Sequence, residues 1–303
     1  MRRFRLSILL ACMALLSSLG TLGQTYIQQR FMSYNIRHGA GMDNVLDLTR
    51  QAQVINNASP DVVGLQEVDS IVPRSERMDE TRRLAKACGM VGTFGKAIPL
   101  SGGGYGVAIL SKDTPLSVRN IPLPGSEKRT LLVCEFEQYV FACTHLDLDE
   151  ENRLASVDII LEEANRWEKP FIICGDWNDL PSSKLITQLK RSFVFLNDIT
   201  NSKGYTFPAD KPTRCIDYIA SKSRSVVRLT NEVINEPVAS DHRPVLVVAR
   251  IKIADDSVED VMSPSGETDQ PIYDLSGRRV RPAEKGFYIK GNRKIFFNGV
   301  DPE

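Results

Sequence analysis

The sequence predicts an α/β protein in which packed, mixed sheets carry helices on their outer faces. Three observations lead there. Four strand candidates, 106–111, 118–123, 130–136 and 139–146, follow one another with no helix between them. Elsewhere, segments of helical spacing are followed by short apolar runs of buried-strand type. Hairpin-linked and helix-crossed strands in one chain, over roughly 225 residues, call for packed sheets around a full core with helices outside.

The elements follow in chain order. Three positive charges in Met1-Arg-Arg-Phe-Arg precede an apolar run from Leu6 that ends in small residues, and Thr21-Leu-Gly23 offers a small-x-small cleavage site. That is the layout of a secretory signal peptide over 1–23, so the chain is expected to be exported to the periplasm, the outer-membrane surface or the medium. The run falls short of the roughly 18–20 apolar residues that span a bilayer. Lipid attachment at Cys12 is the lesser reading, because the apolar run continues past it. No later stretch is long and apolar enough for a transmembrane segment, and a monomer is expected.

Domain 24–253 comes next. Val45, Leu48, Ala52 and Ile55 follow 3–4–3 spacing, which predicts a helix over 44–57 with one buried face. Asp61-Val-Val-Gly-Leu-Gln-Glu reads as a buried strand. Leu154, Val157, Leu161 and Ala164 repeat the helical spacing, Phe171-Ile-Ile-Cys gives the next buried strand, and Ser182 and Ser183 after Pro181 start a helix. An acidic stretch rich in Ser, Pro and Gly over 254–270 reads as a linker. Three short strand-like pieces then begin near Ile272, Gly286 and Lys294 in a β-rich tail, 271–303. This tail resembles, in its IYDLSGRRV and KGFYI segments, the C-terminal sorting domains of exported Bacteroidetes proteins.

Charge and cysteines narrow the function. The chain has 38 basic and 38 acidic residues; loss of Arg2, Arg3 and Arg5 with the leader leaves 35 bases against 38 acids. A protein that grips long nucleic acid shows a basic excess, since phosphate neutralisation supplies most non-specific affinity. The balance therefore favours a small or lipid-linked phosphoester over nucleic acid. Five cysteines remain after the leader, an odd number; Cys134, Cys143 and Cys174 lie in apolar runs and read as buried thiols. No CxxC pair or His/Cys cluster suggests zinc.

Four segments place polar residues at the ends of apolar runs: Asn35 with Arg37, Gln66-Glu67, Asp176 with Asn178, and Ser240-Asp241-His242. Charged groups at the exit of a buried strand are costly unless paired or bound. Any one of them alone is explained by a turn or a cap. Together they supply oxygen ligands, which suit Mg²⁺, Mn²⁺ or Ca²⁺. His145 and His242 each lie in such a segment. A hard cation, amides and histidines are the parts phosphoryl chemistry needs.

The order of these segments, N, LQE, THL, GDxN, IDY and SDHxP over residues 30–252, resembles the endonuclease/exonuclease/phosphatase superfamily. The resemblance implies a four-layer αββα sandwich with the site where loops from both sheets meet. It implies that Glu67 binds the metal with Asn35 close by and Asp241 a further metal-side acid. Asp176 then orients or activates the attacking water, and Asn178 holds the phosphate. His242 contacts the phosphate, Asp217 orients that histidine, and His145 lies across the phosphate. Arg37, Tyr105 and Arg129 are candidates for substrate contact that could equally be surface or packing residues, and His38 is expected to be a loop residue. The chain departs from the apurinic-site repair branch, with Phe141-Ala-Cys-Thr-His145 in place of a YVPN-type segment, and from the inositol polyphosphate phosphatases, with Gly175-Asp-Trp-Asn-Asp. The expected function is a secreted, divalent-metal-dependent phosphoesterase acting on a small, sugar- or lipid-linked phosphoester. The alternatives are an extracellular nuclease and a non-catalytic phosphate-binding protein.

Every candidate residue precedes Ile253. A chain ending near Asp256 is therefore expected to keep its turnover of a soluble phosphodiester; loss of folding on truncation, read by thermal unfolding, would place the tail inside the domain.

Overall fold

Both faces of the central strands are apolar, and in the computed structural model both faces are covered. The structure describes residues 26–253, 271–280, 285–290 and 293–297; the expected signal peptide and linker lie outside them. Residues Tyr26–Ile253 form one compact unit. Its elements are β1 (Tyr26–Asn35), α1 (Leu48–Ala58), β2 (Val62–Ser70), α2 (Glu80–Cys88), β3 (Val91–Leu100), β4 (Gly103–Ser111), β5 (Ser117–Leu123), β6 (Arg129–Glu135) and β7 (Val140–His145). They continue with α3 (Glu150–Asn165), β8 (Phe171–Asp176), α4 (Lys184–Leu189), β9 (Val194–Phe195), β10 (Asp217–Ser221), β11 (Val226–Val233) and β12 (Val245–Lys252).

Two six-stranded sheets result, in the orders β11-β12-β1-β2-β4-β3 and β5-β6-β7-β8-β10-β9. Their inner faces share one core, to which Phe31, Val62 and Ile109 contribute from the first sheet and Phe141, Ile172 and Ile219 from the second. The outer face of the first sheet buries Met32, Tyr34, Val63 and Leu65 under α1 and α2. The outer face of the second buries Val140, Ala142, Phe171 and Ile173 under α3 and α4. This is the αββα sandwich, and it explains why the central strands read as continuous apolar runs.

Topology positions the polar ends. The crossover through α1 makes β1 and β2 parallel, and the crossover through α3 does the same for β7 and β8. All four therefore end at one edge, where the antiparallel strands β10 and β12 begin.

Two helices depart from expectation. The helix expected over 44–57 begins at Leu48, because the Asp47 side chain accepts from the Thr49 amide and caps it. Val45 lies before the cap and is 53% exposed. On α3 the buried face carries Arg153, Ser156, Val157, Ile160, Glu163 and Ala164, leaving Leu154 and Leu161 at its margin. The charged members of that face are admitted by partners: Arg153 pairs with Asp179, and Glu163 with Arg119. Helix α2 and strands β3 and β11 have no counterpart among the expected elements. Both strands carry exposed polar residues that interrupt any apolar pattern.

In the tail, β13 (Ile272–Tyr273), β14 (Gly286–Lys290) and β15 (Arg293–Phe297) form a three-stranded antiparallel sheet. Phe287 and Phe296 pair across it with centroids 4.9 Å apart. Of the described cysteines none is in a disulfide, and Cys134, Cys143, Cys174 and Cys215 are buried. No helix among the described residues is long and apolar enough to cross a membrane.

The sheets approach closely at Gly64. A Cβ there would overlap the Sγ atoms of both Cys143 and Cys174 on the opposing sheet. Gly64→Ala is expected to destabilise the protein by about 1–3 kcal/mol through overpacking. Adding Cys174→Ala should restore much of the loss. Thermal unfolding of the single and double variants measures both, and additive losses would refute the contact.

Candidate active site

Asn35, at the end of β1, is fully buried and ties the two sheets together. Its Nδ2 donates to Glu67 Oε1 at 3.0 Å on β2 and to Asp176 Oδ2 at 3.1 Å on β8. Its Oδ1 accepts from the Arg37 amide, and its carbonyl accepts from Ser240 Oγ at 2.7 Å. One residue thus fixes two carboxylates through its side chain and the loop that precedes β12 through its carbonyl.

Glu67 owes its direction to a β-bulge. The register of β2 against β4 slips between Leu65 and Val68, so Gln66 and Glu67 have no partner across the ladder. Glu67 takes a φ of 56°, in the left-handed region where a side chain other than glycine's is strained. Bulges re-aim side chains in this way, and such strain collects at functional sites. Burial, which the Asn35 bond opposes, raises the Glu67 pKa, and the Asp241 and Asp176 carboxylates raise it further.

Asp176 is the hub. Its Oδ1 accepts from the Asn178 amide at 2.9 Å. Its Oδ2 lies 3.6 Å from His145 Nε2 and 3.5 Å from His242 Nε2. Gly175, just before it, passes so close to the Thr144 carbonyl that any Cβ would overlap that oxygen. Asn178 is also left-handed, with φ 51°, and its Nδ2 reaches Leu146 O and His145 Nε2, each at 3.0 Å. The Leu146 carbonyl orients that amide group.

The two histidines differ in charge. His242 Nδ1 lies 2.9 Å from Asp217 Oδ2, which also accepts from Thr206 Oγ1. Burial alone would lower the His242 pKa, but the Asp217 and Asp176 carboxylates overcome it and raise the value to about 10. Burial lowers His145 to about 4, with the Asp176 carboxylate opposing and the Arg129 cation adding to the loss. An imidazolium and a neutral imidazole therefore flank one carboxylate oxygen. The ring of Phe207 packs on His242 at 4.7 Å between centroids.

The remaining expected residues surround this network. Arg37 Nε pairs with Asp241 Oδ2 at 3.6 Å, and both are partly exposed. Tyr105 and Arg129 share a small cavity with His145, and Arg129 is held by Glu127 at 2.9 Å. Thr206, Phe207 and the hydroxyl of Ser240 also brace the site, and nothing in the sequence marks these roles. The first two lie in the irregular stretch before β10, where no periodicity marks them. A larger cavity of about 620 Å³ runs beside β11, lined by Lys203, Tyr205 and Arg243 among others, and includes none of the acids or histidines just described.

Asp176, Asp217 and His242 present ligand atoms within 4.8 Å of one another. Two of those atoms are already bonded together, so this group serves better as a proton-holding pair beside a carboxylate than as a cation cage. The opposite charge states have a measurable consequence. By nuclear magnetic resonance of the imidazole rings, His242 should stay protonated through pH 8 and His145 should stay neutral above about pH 5. Asp217→Asn should lower the His242 value by about one unit or more. The raised His242 pKa contributes stability that is complete below about 6.5 and lost as pH rises through about 10. The lowered His145 pKa costs stability as pH falls from about 6.5 towards about 4. A His242 that titrates near 6.5 would refute the pairing.

Comparisons with known proteins agree with this architecture. Residues 32–242 match the model of the Endonuclease/Exonuclease/phosphatase family. The chain is similar in structure to an endonuclease/exonuclease/phosphatase from Bacteroides vulgatus, with 20% identity and a TM-score of 0.62 over 74% of this chain and 99% of that one. It is similar to the mannosyl-6-phosphatase of Bacteroides thetaiotaomicron, at 17% identity and a TM-score of 0.58 over 73% and 99%. It is also similar to D. rerio TDP2 solved with a single-strand DNA product, at 18% identity and a TM-score of 0.58 over 73% and 98%. No curated protein is similar enough in sequence to count as a match. With the family model spanning most of the sandwich and the strand-end cluster inside it, the chain belongs to the endonuclease/exonuclease/phosphatase family.

Proposed function

We propose that the protein is an exported, monomeric phosphoesterase that needs a divalent metal and hydrolyses a small, sugar- or lipid-linked phosphoester. The observation that carries this reading is Asp176 Oδ2, set between a charged and a neutral imidazole at 3.5 and 3.6 Å and held by Asn35. A carboxylate in that place orients a water and takes its proton as the water oxygen bonds to phosphorus. His242, as imidazolium, donates from Nε2 to a phosphoryl oxygen whose charge grows as the ester P–O bond breaks. Asn178 and His145 hold the phosphoryl group from the other side, and the leaving oxygen takes its proton from solvent. Arg37, Tyr105 and Arg129 line the approach and contact the remainder of the substrate.

The donor set fits a hard cation. Glu67, Asp241 and Asp176 bring three carboxylates close enough to raise the Glu67 pKa, a crowding that a divalent ion relieves. Glu67, with Asn35 beside it and Asp241 opposite, would hold Mg²⁺, or Mn²⁺ or Ca²⁺, which when bound supplies charge neutralisation at a phosphate oxygen. The substrate class rests on the near-neutral charge, which favours few phosphate contacts, and is supported by the mannosyl-6-phosphatase among similar folds. The TDP2 structure with DNA product makes nucleic acid the alternative.

The test is turnover of bis-p-nitrophenyl phosphate with Mg²⁺, Mn²⁺, Ca²⁺ or chelator. Glu67→Gln should raise the metal concentration needed for half activity. His242→Ala should lower kcat about 10²–10³-fold, the size of effect seen when one charge-stabilising donor is removed. Asp217→Asn should cost less. Turnover that resists chelator would sink the metal assignment. A far higher kcat/KM on DNA or RNA than on sugar phosphates and lipid-linked phosphoesters would replace the substrate reading.

A further inference from the structure

Arg74 lies outside every segment that pointed to chemistry, in a single turn over Pro73–Ser75 just after β2. Its Nε and Nη2 donate to Asp69 Oδ2 and Oδ1 at 2.8 and 2.9 Å, and Asp69 is fully buried. The guanidinium also lies over the Tyr105 ring, 5.3 Å from its centroid. Ring and carboxylate together fix its plane, while the side chain stays 43% exposed and no described acceptor takes Nη1. A guanidinium held on one edge and open on the other is preorganised for an anion, because little further rotamer freedom is lost on binding.

Its place is beside the site already described. Tyr105 borders the cavity that Arg129 and His145 share. Asp69 follows Glu67 by two residues on β2, and Arg74 is close enough to feel the Glu67 carboxylate and to depress the His38 ring. Arg129 lies on the same side, almost fully buried, with its Nε lacking a partner among the described residues. Two arginines and an aromatic ring thus form one wall. Glu127 takes Nη1 of the first and Asp69 one edge of the second.

We propose that Arg74 is a specificity-determining residue that binds a second anionic group of the substrate, beyond the phosphate held at His145 and His242. The substrate class is then a small phosphoester carrying another phosphate or carboxylate. This rests on the phosphoesterase reading of the site. A purely structural Arg74, present only to neutralise Asp69, predicts no such preference.

The test compares glucose 6-phosphate with glucose 1,6-bisphosphate, which share sugar and phosphate and differ by one anion. They are used as competitors of bis-p-nitrophenyl phosphate hydrolysis at fixed free metal, and their binding is measured in parallel by calorimetry. The wild-type protein should bind the bisphosphate about tenfold more tightly, the scale of one charge-assisted hydrogen bond. Arg74→Gln combined with Asp69→Asn removes the cation without leaving a buried carboxylate unpaired, and should bring the ratio close to one. Arg74→Lys keeps charge without the fork, and should fall between. No preference in the wild type, or a preference that survives the folded double variant, overturns the proposal. If the double variant does not fold, an unchanged ratio in Arg74→Lys overturns it. Absence of any hydrolysis would count against the phosphoesterase reading alone, since the calorimetric ratio still reads Arg74.

Discussion

The distance between the two sheets governs everything at the strand ends. Asn35 and Glu67 belong to one sheet, while His145 and Asp176 belong to the other. Asn35 bridges them with a 3.1 Å bond to Asp176, while its 3.0 Å bond to Glu67 stays within the first sheet, so the layers have no room for an extra methylene there. The inner face meets that demand with small groups at a close approach: Gly64 lies against Cys143 and Cys174. Interiors packed at crystal-like density pass such spacing on with little slack. Cys143 and Cys174, read from sequence as buried thiols, are buried and act as spacers.

Electrostatics at the edge follows from that closeness. Carboxylates from both sheets meet in a mostly buried region, where isolated charges are costly. The chain lowers the cost unevenly. Asp217 is matched by an imidazolium, Asp69 by a bidentate guanidinium, and Asp176 by an amide on one side and backbone N–H on the other. Glu67 has only Asn35, on a strained backbone. The least compensated acid is the one best placed to accept a cation.

Much of this was legible because charged residues closing an apolar run are conspicuous. The strand ends at Asn35, His145 and Asp176 declared themselves by composition and the apolar runs between them gave the layers, whereas Glu67, read as a strand end, lies at a bulge inside β2, which continues to Ser70. What sequence did not reveal is geometric. The bulge that aims Glu67 has no residue signature, since neither Gln66 nor Glu67 is a glycine. Thr206 and Phe207 reach Asp217 and His242 from an irregular loop without a period to read. Nothing in the sequence sets Arg74 apart, because its role depends on the burial of Asp69. The shifted face of α3 has a similar origin: sequence reading assigned its leucines inward, whereas ion pairs let Arg153 and Glu163 take that place.

The pairing of β1 has a consequence for how the molecule comes into being. Tyr26 lies opposite Lys252 and Phe31 opposite Val247, so the first strand of the domain is flanked by its last. Contacts so distant in sequence form late, because the loop they close must be ordered first. A chain emerging from its N-terminus cannot finish the first sheet until β12 has appeared, and the Ser240 hydroxyl that braces Asn35 arrives with it. Before then β1 keeps an open edge, the kind of surface that invites pairing with other chains. The assembled strand-end cluster is thus denied to every partial product of synthesis.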